Sequence, residues 1–363
     1  MLQRLDFGRL LRIALVLLLA GAAGHGASLA GVPLSWVLGP LVVTAACSIA
    51  GWPVFASKRG RQIGQLLVGS SIGLNVTAAA LGLIALWLPA MVLTAAVAML
   101  VAAVLSVPFA RASRINETTA FFSLTPGGLS EMANVGQAEG ADPEPIALSQ
   151  AIRVALLVCL MPPLILAFGI DGGIPTPPAA GDLDPVELAL LFATGLAAIA
   201  IVKFLKANNA WMIGALLGGG IVAGLELVEG RMPYPLFAGG QFLIGIVIGS
   251  RFKRENLVRL PRVCVMVMLF IVLLTLILLG YAALLTLATG IDLSSTVLSS
   301  SPGGLAEMSL TAQVLHLNVA LVTAFHVVRS FFVNAFTLPA FRLFRRAGLF
   351  RLVGRLCDRL RIV

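Results

Sequence analysis

Thr125-Pro126-Gly127-Gly128-Leu129-Ser130-Glu131-Met132 returns 176 positions later as Ser301-Pro302-Gly303-Gly304-Leu305-Ala306-Glu307-Met308. Both copies set a helix breaker and a carboxylate inside an apolar stretch, where each is costly. The surroundings repeat too. Trp36-x-x-Gly39 matches Trp211-x-x-Gly214 at an offset of 175, and Gln65, Gly69 and Gly73 match Gln241, Gly245 and Gly249 at 176. Gln137, Arg153 and Pro163 match Gln313, Arg329 and Pro339 at 176. The chain is therefore an internal duplication.

Hydrophobic residues fill 59% of the 363 positions, charged residues 11%, and the mean hydropathy is +1.01. A soluble domain carries roughly 25% charged residues, so lipid is the main solvent here. Runs of about 20 apolar residues suit a hydrocarbon core about 30 Å thick. Such runs lie near 11–31, 33–51, 62–80, 82–108 and 145–168, and near 185–203, 207–227, 234–250, 263–288 and 317–341. Arg4, Arg9 and Arg12 ahead of the first run resemble a secretory signal. The matching mid-chain run at 185–203 favours a retained helix instead. The four cysteines, Cys47, Cys159, Cys264 and Cys357, are scattered and form no CxxC pair. No disulfide framework or metal pair is expected from them.

The formal charge of +9 sits in short loops beside hydrophobic spans, an orientation signal rather than a nucleic-acid patch. Basic loops at 4–12, 58–61 and 111–114 have equivalents near 180–188, 233–237 and 287–290 without Lys or Arg. Conversely Lys203, Lys206, the run Arg251 to Arg262 and Arg342 to Arg346 map onto first-half segments lacking them. Opposite orientation of the two halves places every basic residue in the cytoplasm except Arg231, outside, and Arg153 and Arg329, within spans. The expected fold is an all-α polytopic membrane protein. It has about ten transmembrane helices in two inverted five-helix repeats, at 1–171 and 182–346, followed by a basic amphipathic tail at 347–363. Both termini are cytoplasmic in this reading.

Inversion needs an odd number of crossings per half. The Pro-Gly-Gly segments at 116–139 and 292–315 are therefore expected as re-entrant hairpins. Arms of about ten residues reach about 15 Å, so the two tips meet near the midplane. The prolines deny a backbone donor and the glycines permit a sharp reversal. Helices starting at Leu129 and Leu305 aim free N–H groups and positive dipole ends at the tips, an arrangement suited to an anion. Gly127, Gly128, Gly303 and Gly304 let a ligand approach, with Ser130 in the first turn beyond. Ser123, Thr125, Ser299, Ser300 and Ser301, with nearby carbonyls, offer oxygens to a small cation such as Na⁺.

Glu131 and Glu307 stand about three residues into their helices. They either cap free amides locally or carry a coupling H⁺ or cation. Arg153 and Arg329 lie within apolar spans, where an arginine costs about 2.5–3.5 kcal/mol or more. Each pairs with the glutamate of its own half, contacts an anionic substrate, or snorkels. His326 reads as a bonded packing residue ahead of a proton relay. The Gly-x3-Gly pairs read as helix-packing sites, and Trp36 and Trp211 as interfacial anchors. Arg351, Arg355 and Arg359 beside Leu352, Leu356 and Leu360 read as an interfacial helix on anionic lipid.

The doubled Pro-Gly-Gly-Leu-x-Glu-Met motif resembles the bacterial membrane family named for the AbrB duplication, over residues 10–345. That resemblance implies two inherited labels, regulator of gene expression and ammonia monooxygenase. It also implies an organisation similar to inverted-repeat carriers of citrate and glutamate. An oxygenase centre usually needs several histidines with carboxylates, and only His25, His316 and His326 are present, with no pair at helical ligand spacing. No enzyme activity and no cofactor beyond a coupling Na⁺ or H⁺ is expected. No soluble basic module is available to bind DNA. The expectation is a multi-pass protein of the bacterial inner membrane that moves a small organic anion. Its partners are the bilayer and the metabolite, and a homodimer is compatible with the sequence. The alternative is a membrane sensor acting indirectly on gene expression.

Overall fold

A computed structural model describes residues 7–76, 78–167, 181–207 and 209–360. Arg4 and the expected repeat boundary at 171 lie outside them. The described residues form sixteen helices. The first half holds α1 (Phe7–Leu29), α2 (Ser35–Ile49), α3 (Lys58–Gly73), α4 (Ala78–Ser113), α5 (Glu117–Leu124), α6 (Leu129–Ala138) and α7 (Pro143–Ala167). The second holds α8 (Pro185–Phe204), α9 (Ala210–Gly224), α10 (Tyr234–Gly249), α11 (Arg254–Arg259), α12 (Pro261–Thr289), α13 (Leu293–Ser300), α14 (Leu305–Val314) and α15 (Val319–Arg346). Helix α16 (Leu349–Leu360) follows.

The duplication reaches into backbone conformation. Helices α5, α6 and the start of α7 recur as α13, α14 and the start of α15 at an offset of 176. The N-caps do as well: Asn116 accepts from the Thr119 amide at 2.6 Å, and Asp292 accepts from the Ser295 amide at 2.7 Å. Both side chains satisfy an orphan donor of the first turn. Left-handed turn residues also recur at 175 or 176, as Gly31 and Lys206, Leu34 and Asn209, Gly51 and Glu226, Arg114 and Gly290, and Gly140 and His316. Lys206, Leu34, Asn209, Glu226, Arg114 and His316 hold positive φ without being glycine, so tertiary context fixes these turns.

Among the described residues, six helices are long and apolar enough to cross a bilayer: Gly8–Leu29, Ile84–Ser113, Pro143–Ala167, Pro185–Phe204, Pro261–Thr289 and Val319–Arg346. The other four expected spans fall on α2, α3, α9 and α10, helices of 15 or 16 residues. At 1.5 Å per residue each reaches only about 22–24 Å, so the expected ten is not matched by length alone.

Contacts divide the chain into two compact units, and each unit draws on both halves of the sequence. One holds the chain up to Ala85, with Met161–Arg254 and Ser309–Leu321. The repeated glycines are its packing code. A Cβ on Gly73 would sit 2.4 Å from the Leu216 carbonyl, and one on Gly249 would sit 2.5 Å from the Leu41 carbonyl. Helix α3 thus meets α9 as α10 meets α2, backbone against backbone. Gly39 presses on Gly24 of α1 as Gly214 presses on Ile199 of α8, at 2.4 and 2.5 Å for the added Cβ. Small residues let helices approach this closely, and the dispersion gained is what holds apolar helices together in lipid. The Gly-x3-Gly reading is confirmed. Trp36 donates to the Tyr234 hydroxyl at 2.9 Å, and Lys203 stacks over the Trp211 ring.

The other unit comprises Leu86–Leu160, Glu255–Met308 and Val322–Val363. It contains both Pro-Gly-Gly breaks. Its core joins Phe121 and Phe122 of α5, Met132 of α6, Phe341 of α15, and Phe350, Val353 and Cys357 of α16. The tail helix packs one face into this core. The stripe 350, 353, 357 is buried, at the one-turn spacing of a helical face, while Leu352 and Leu356 face outward. Arg111 fixes the helix by an ion pair to Asp358 at 2.7 Å and a bond to the Gly354 carbonyl.

Candidate functional site

Each break is a short helix, a Pro-Gly-Gly turn and a second helix, backed by one residue pair from the following long helix. Helix α5 cannot continue through Pro126, which lacks the amide donor, so the carbonyls at its end lose their intrahelical partners. Helix α7 supplies replacements. The Gln150 amide nitrogen donates to the carbonyls of Phe122, Ser123 and Thr125 at 2.9, 3.2 and 2.9 Å. One turn on, Arg153 donates from Nη1 to the Thr125 carbonyl at 3.3 Å and from Nη2 to the Gly127 carbonyl at 2.8 Å.

The second break is built the same way at 176. His326 Nε2 bonds the Leu298 carbonyl at 3.0 Å, the counterpart of Phe122. Arg329 donates to the carbonyls of Ser301 and Gly303, the counterparts of Thr125 and Gly127. A planar guanidinium suits this fork, because its donors diverge at fixed angles. The arginines are thus not snorkelling. They clamp the tip backbone and stay buried, 3% and 5% exposed.

The glycines of the two breaks do not need left-handed backbone. None of Gly127, Gly128, Gly303 and Gly304 has a positive φ; Gly128 is extended at φ −73°, ψ 145°. What each provides is space. A Cβ on Gly127 would lie 2.7 Å from Met132, and one on Gly303 would lie 2.6 Å from Met308. A Cβ on Gly128 would lie 1.9 Å from Glu131 Oε2, and one on Gly304 would lie 2.0 Å from Glu307 Oε2. The octapeptide is therefore a folded-back unit. Its methionine covers the first glycine, and its carboxylate rests on the second, at the positive end of the following helix. This is the position of the third residue in a capping box.

Of the hydroxyls expected to line the site, three are spent on their own helix. Thr125 donates to the Phe121 carbonyl at 2.8 Å, Ser300 to Thr296 at 2.8 Å, and Ser301 to Leu298 at 2.9 Å. Ser123 and Ser299 are repeat partners, both buried, and neither hydroxyl has a hydrogen-bond partner among the described residues. Ser130 is exposed whereas its counterpart Ala306 is buried, so the first tip is the more open. The charge of Arg153 interacts with Glu307 and with Arg329, which brings the two breaks within electrostatic reach of each other. Gln150 escaped the sequence reading. Its signal was available, since it stands 176 positions before His326 and three before Arg153.

Apolar spanning helices, a duplicated break and arginines buried on tip carbonyls define an all-helical membrane protein built from an internal repeat. Residues 36–345 match the family described as "Transition state regulatory protein AbrB", and the chain belongs to that family. It is 28% identical over 355 residues to "Uncharacterized protein YhjN" of Bacillus subtilis (strain 168), covering 90% of this chain and 91% of that one. It is 27% identical over 335 residues to "Putative regulator AbrB" of Escherichia coli (strain K12), covering 90% and 93%.

Proposed function

We propose that this chain is an ion-coupled secondary transporter of a small organic anion in the bacterial cytoplasmic membrane. The observation that carries the reading is the pair of broken helices, each with a buried arginine on its tip. Non-helical backbone at membrane depth persists only where protein or a watery cavity surrounds it. Broken helices at a repeat interface are how secondary carriers build a substrate site. Two guanidiniums and two helix N-termini make that site electropositive. Ten crossings in two inverted repeats, with both termini in the cytoplasm, bring the hairpins in from opposite faces. Alternating access then moves the unit holding both breaks across the membrane, in the manner of an elevator. Glu131 and Glu307, in the first turns of the helices that leave the two tips, serve as the groups a coupling H⁺ or Na⁺ addresses.

Reconstituted protein in liposomes, energised by a proton or sodium gradient, should accumulate labelled carboxylates. Loss of accumulation in both Glu131→Gln and Glu307→Gln, with folding intact, supports the coupling role; unchanged uptake in both removes it. The regulator named among the relatives favours a second reading, a sensor of the same ligand that acts indirectly on gene expression. Ligand binding without flux would select it.

A further inference from the structure

The repeat-related residues Gln150 and His326 are oriented alike. Each turns one nitrogen to a tip carbonyl, and each leaves its other polar atom unpaired in the interior. Gln150 is 1% exposed, and its Oε1 has no hydrogen-bond partner among the described residues. His326 is also 1% exposed, and its Nδ1 has none. A carbonyl can only accept, so in the neutral ring the proton sits on Nε2, and Nδ1 is left as an acceptor. These two repeat-related residues therefore each present a bare acceptor to the interior, Gln150 Oε1 and His326 Nδ1. Beside each break stands one unpaired hydroxyl, Ser123 or Ser299. Buried acceptors without partners cost free energy, and native sites keep them for a reason.

A simple carboxylate cannot satisfy these atoms, because it too only accepts. Arginines and helix N-termini call for negative charge; Gln150 and His326 call for donors. Each acceptor lies one helical turn from a guanidinium, which opposes an ammonium and favours an uncharged donor. We propose that the site takes a hydroxycarboxylate, its carboxylate held by the electropositive tips and its hydroxyl donated to Gln150 Oε1 or His326 Nδ1. This rests on the anion-transporter reading above and deepens it by naming the substrate class.

Matched acids test it: propionate against lactate, and succinate against malate and tartrate, with aspartate as the ammonium analogue. Binding to purified full-length protein is read by thermal shift and calorimetry, and flux in proteoliposomes. A site built to hydrogen-bond a hydroxyl rejects the analogue that lacks it, and one lost hydrogen bond to a buried group corresponds to about tenfold in affinity or more. Wild type should favour the hydroxy acid by at least about tenfold. Ser123→Ala, Ser299→Ala, Gln150→Leu and His326→Leu should each narrow that preference. His326→Gln, which imitates the first half, should keep it. The leucine variants also unpair a tip carbonyl, so the serine variants and His326→Gln carry the test if those fail to fold. Equal binding of hydroxylated and plain acids, or preference for aspartate over malate, would overturn the hydroxycarboxylate and leave the anion transporter standing. Binding of none of these acids would overturn both.

Discussion

Replacing Arg329 by Met should cost more stability than replacing Arg153 by Met, although the two occupy equivalent places and lose equivalent charges. The reason lies in their neighbours. In the first break the Thr125 carbonyl also accepts from Gln150 and from the Gly127 amide, at 2.9 and 2.8 Å. Losing Arg153 therefore orphans only the Gly127 carbonyl, in a half-buried setting. In the second break His326 reaches only Leu298, so losing Arg329 orphans the carbonyls of both Ser301 and Gly303, in a buried one. Each stranded acceptor costs about 1–3 kcal/mol. The desolvation recovered by deleting a buried guanidinium is common to both variants and cancels in the comparison. Arg329→Met should thus be worse by about 1–3 kcal/mol. Unfolding of both variants in the same detergent, followed by tryptophan fluorescence, measures the difference. Adding Gln150→Leu to Arg153→Met should remove the advantage of the first half. Equal losses, or a larger one at Arg153, would refute the carbonyl accounting.

Other substitutions probe other parts of the fold. Gly73→Ala and Gly249→Ala force a methyl to within 2.4 and 2.5 Å of a neighbouring helix carbonyl, and each should cost about 1–3 kcal/mol in thermal unfolding. Gly26→Ala in α1, where nothing lies within 4 Å, should instead stabilise by about 0.5–1 kcal/mol. Gly128→Ala and Gly304→Ala should displace the glutamate carboxylate and reduce gradient-driven uptake as the Glu→Gln variants do, read in proteoliposomes. Phe350→Ala, which opens the aromatic cluster over α5, should lower stability by about 3–5 kcal/mol; an unchanged melting temperature would place α16 outside the core.

Periodicity and repetition carried most of the secondary structure. The offset of 176 located both breaks, and the helices that flank them begin and end where the alignment of the halves places them. Charge asymmetry carried the expectation of inversion, because lipid makes the position of each arginine expensive. Packing was not legible in the same way. The Pro-Gly-Gly glycines read as turn residues, but the room they supply for Met132, Glu131 and their counterparts was not visible. That depends on side chains folding back through space, which no spacing encodes. Gln150 was missed because a glutamine in an apolar span is less conspicuous than an arginine, and only pairing it with His326 exposes it. The arginines and leucines of α16 showed its amphipathic character, but its buried stripe of Phe350, Val353 and Cys357 was not legible. Phe350 packs on Phe121, more than 200 positions distant, as well as on nearby Phe341.

The proposed transport site requires the two hairpins to enter the membrane from opposite faces. With Cys47, Cys159, Cys264 and Cys357 replaced, single cysteines at Ala138 and at His316, both exposed residues at the far ends of the hairpins, report their compartments to membrane-impermeant maleimide in intact cells and inverted vesicles. The account predicts that Ala138→Cys labels only from the cytoplasmic side and His316→Cys only from outside. Labelling of both from one side would contradict it.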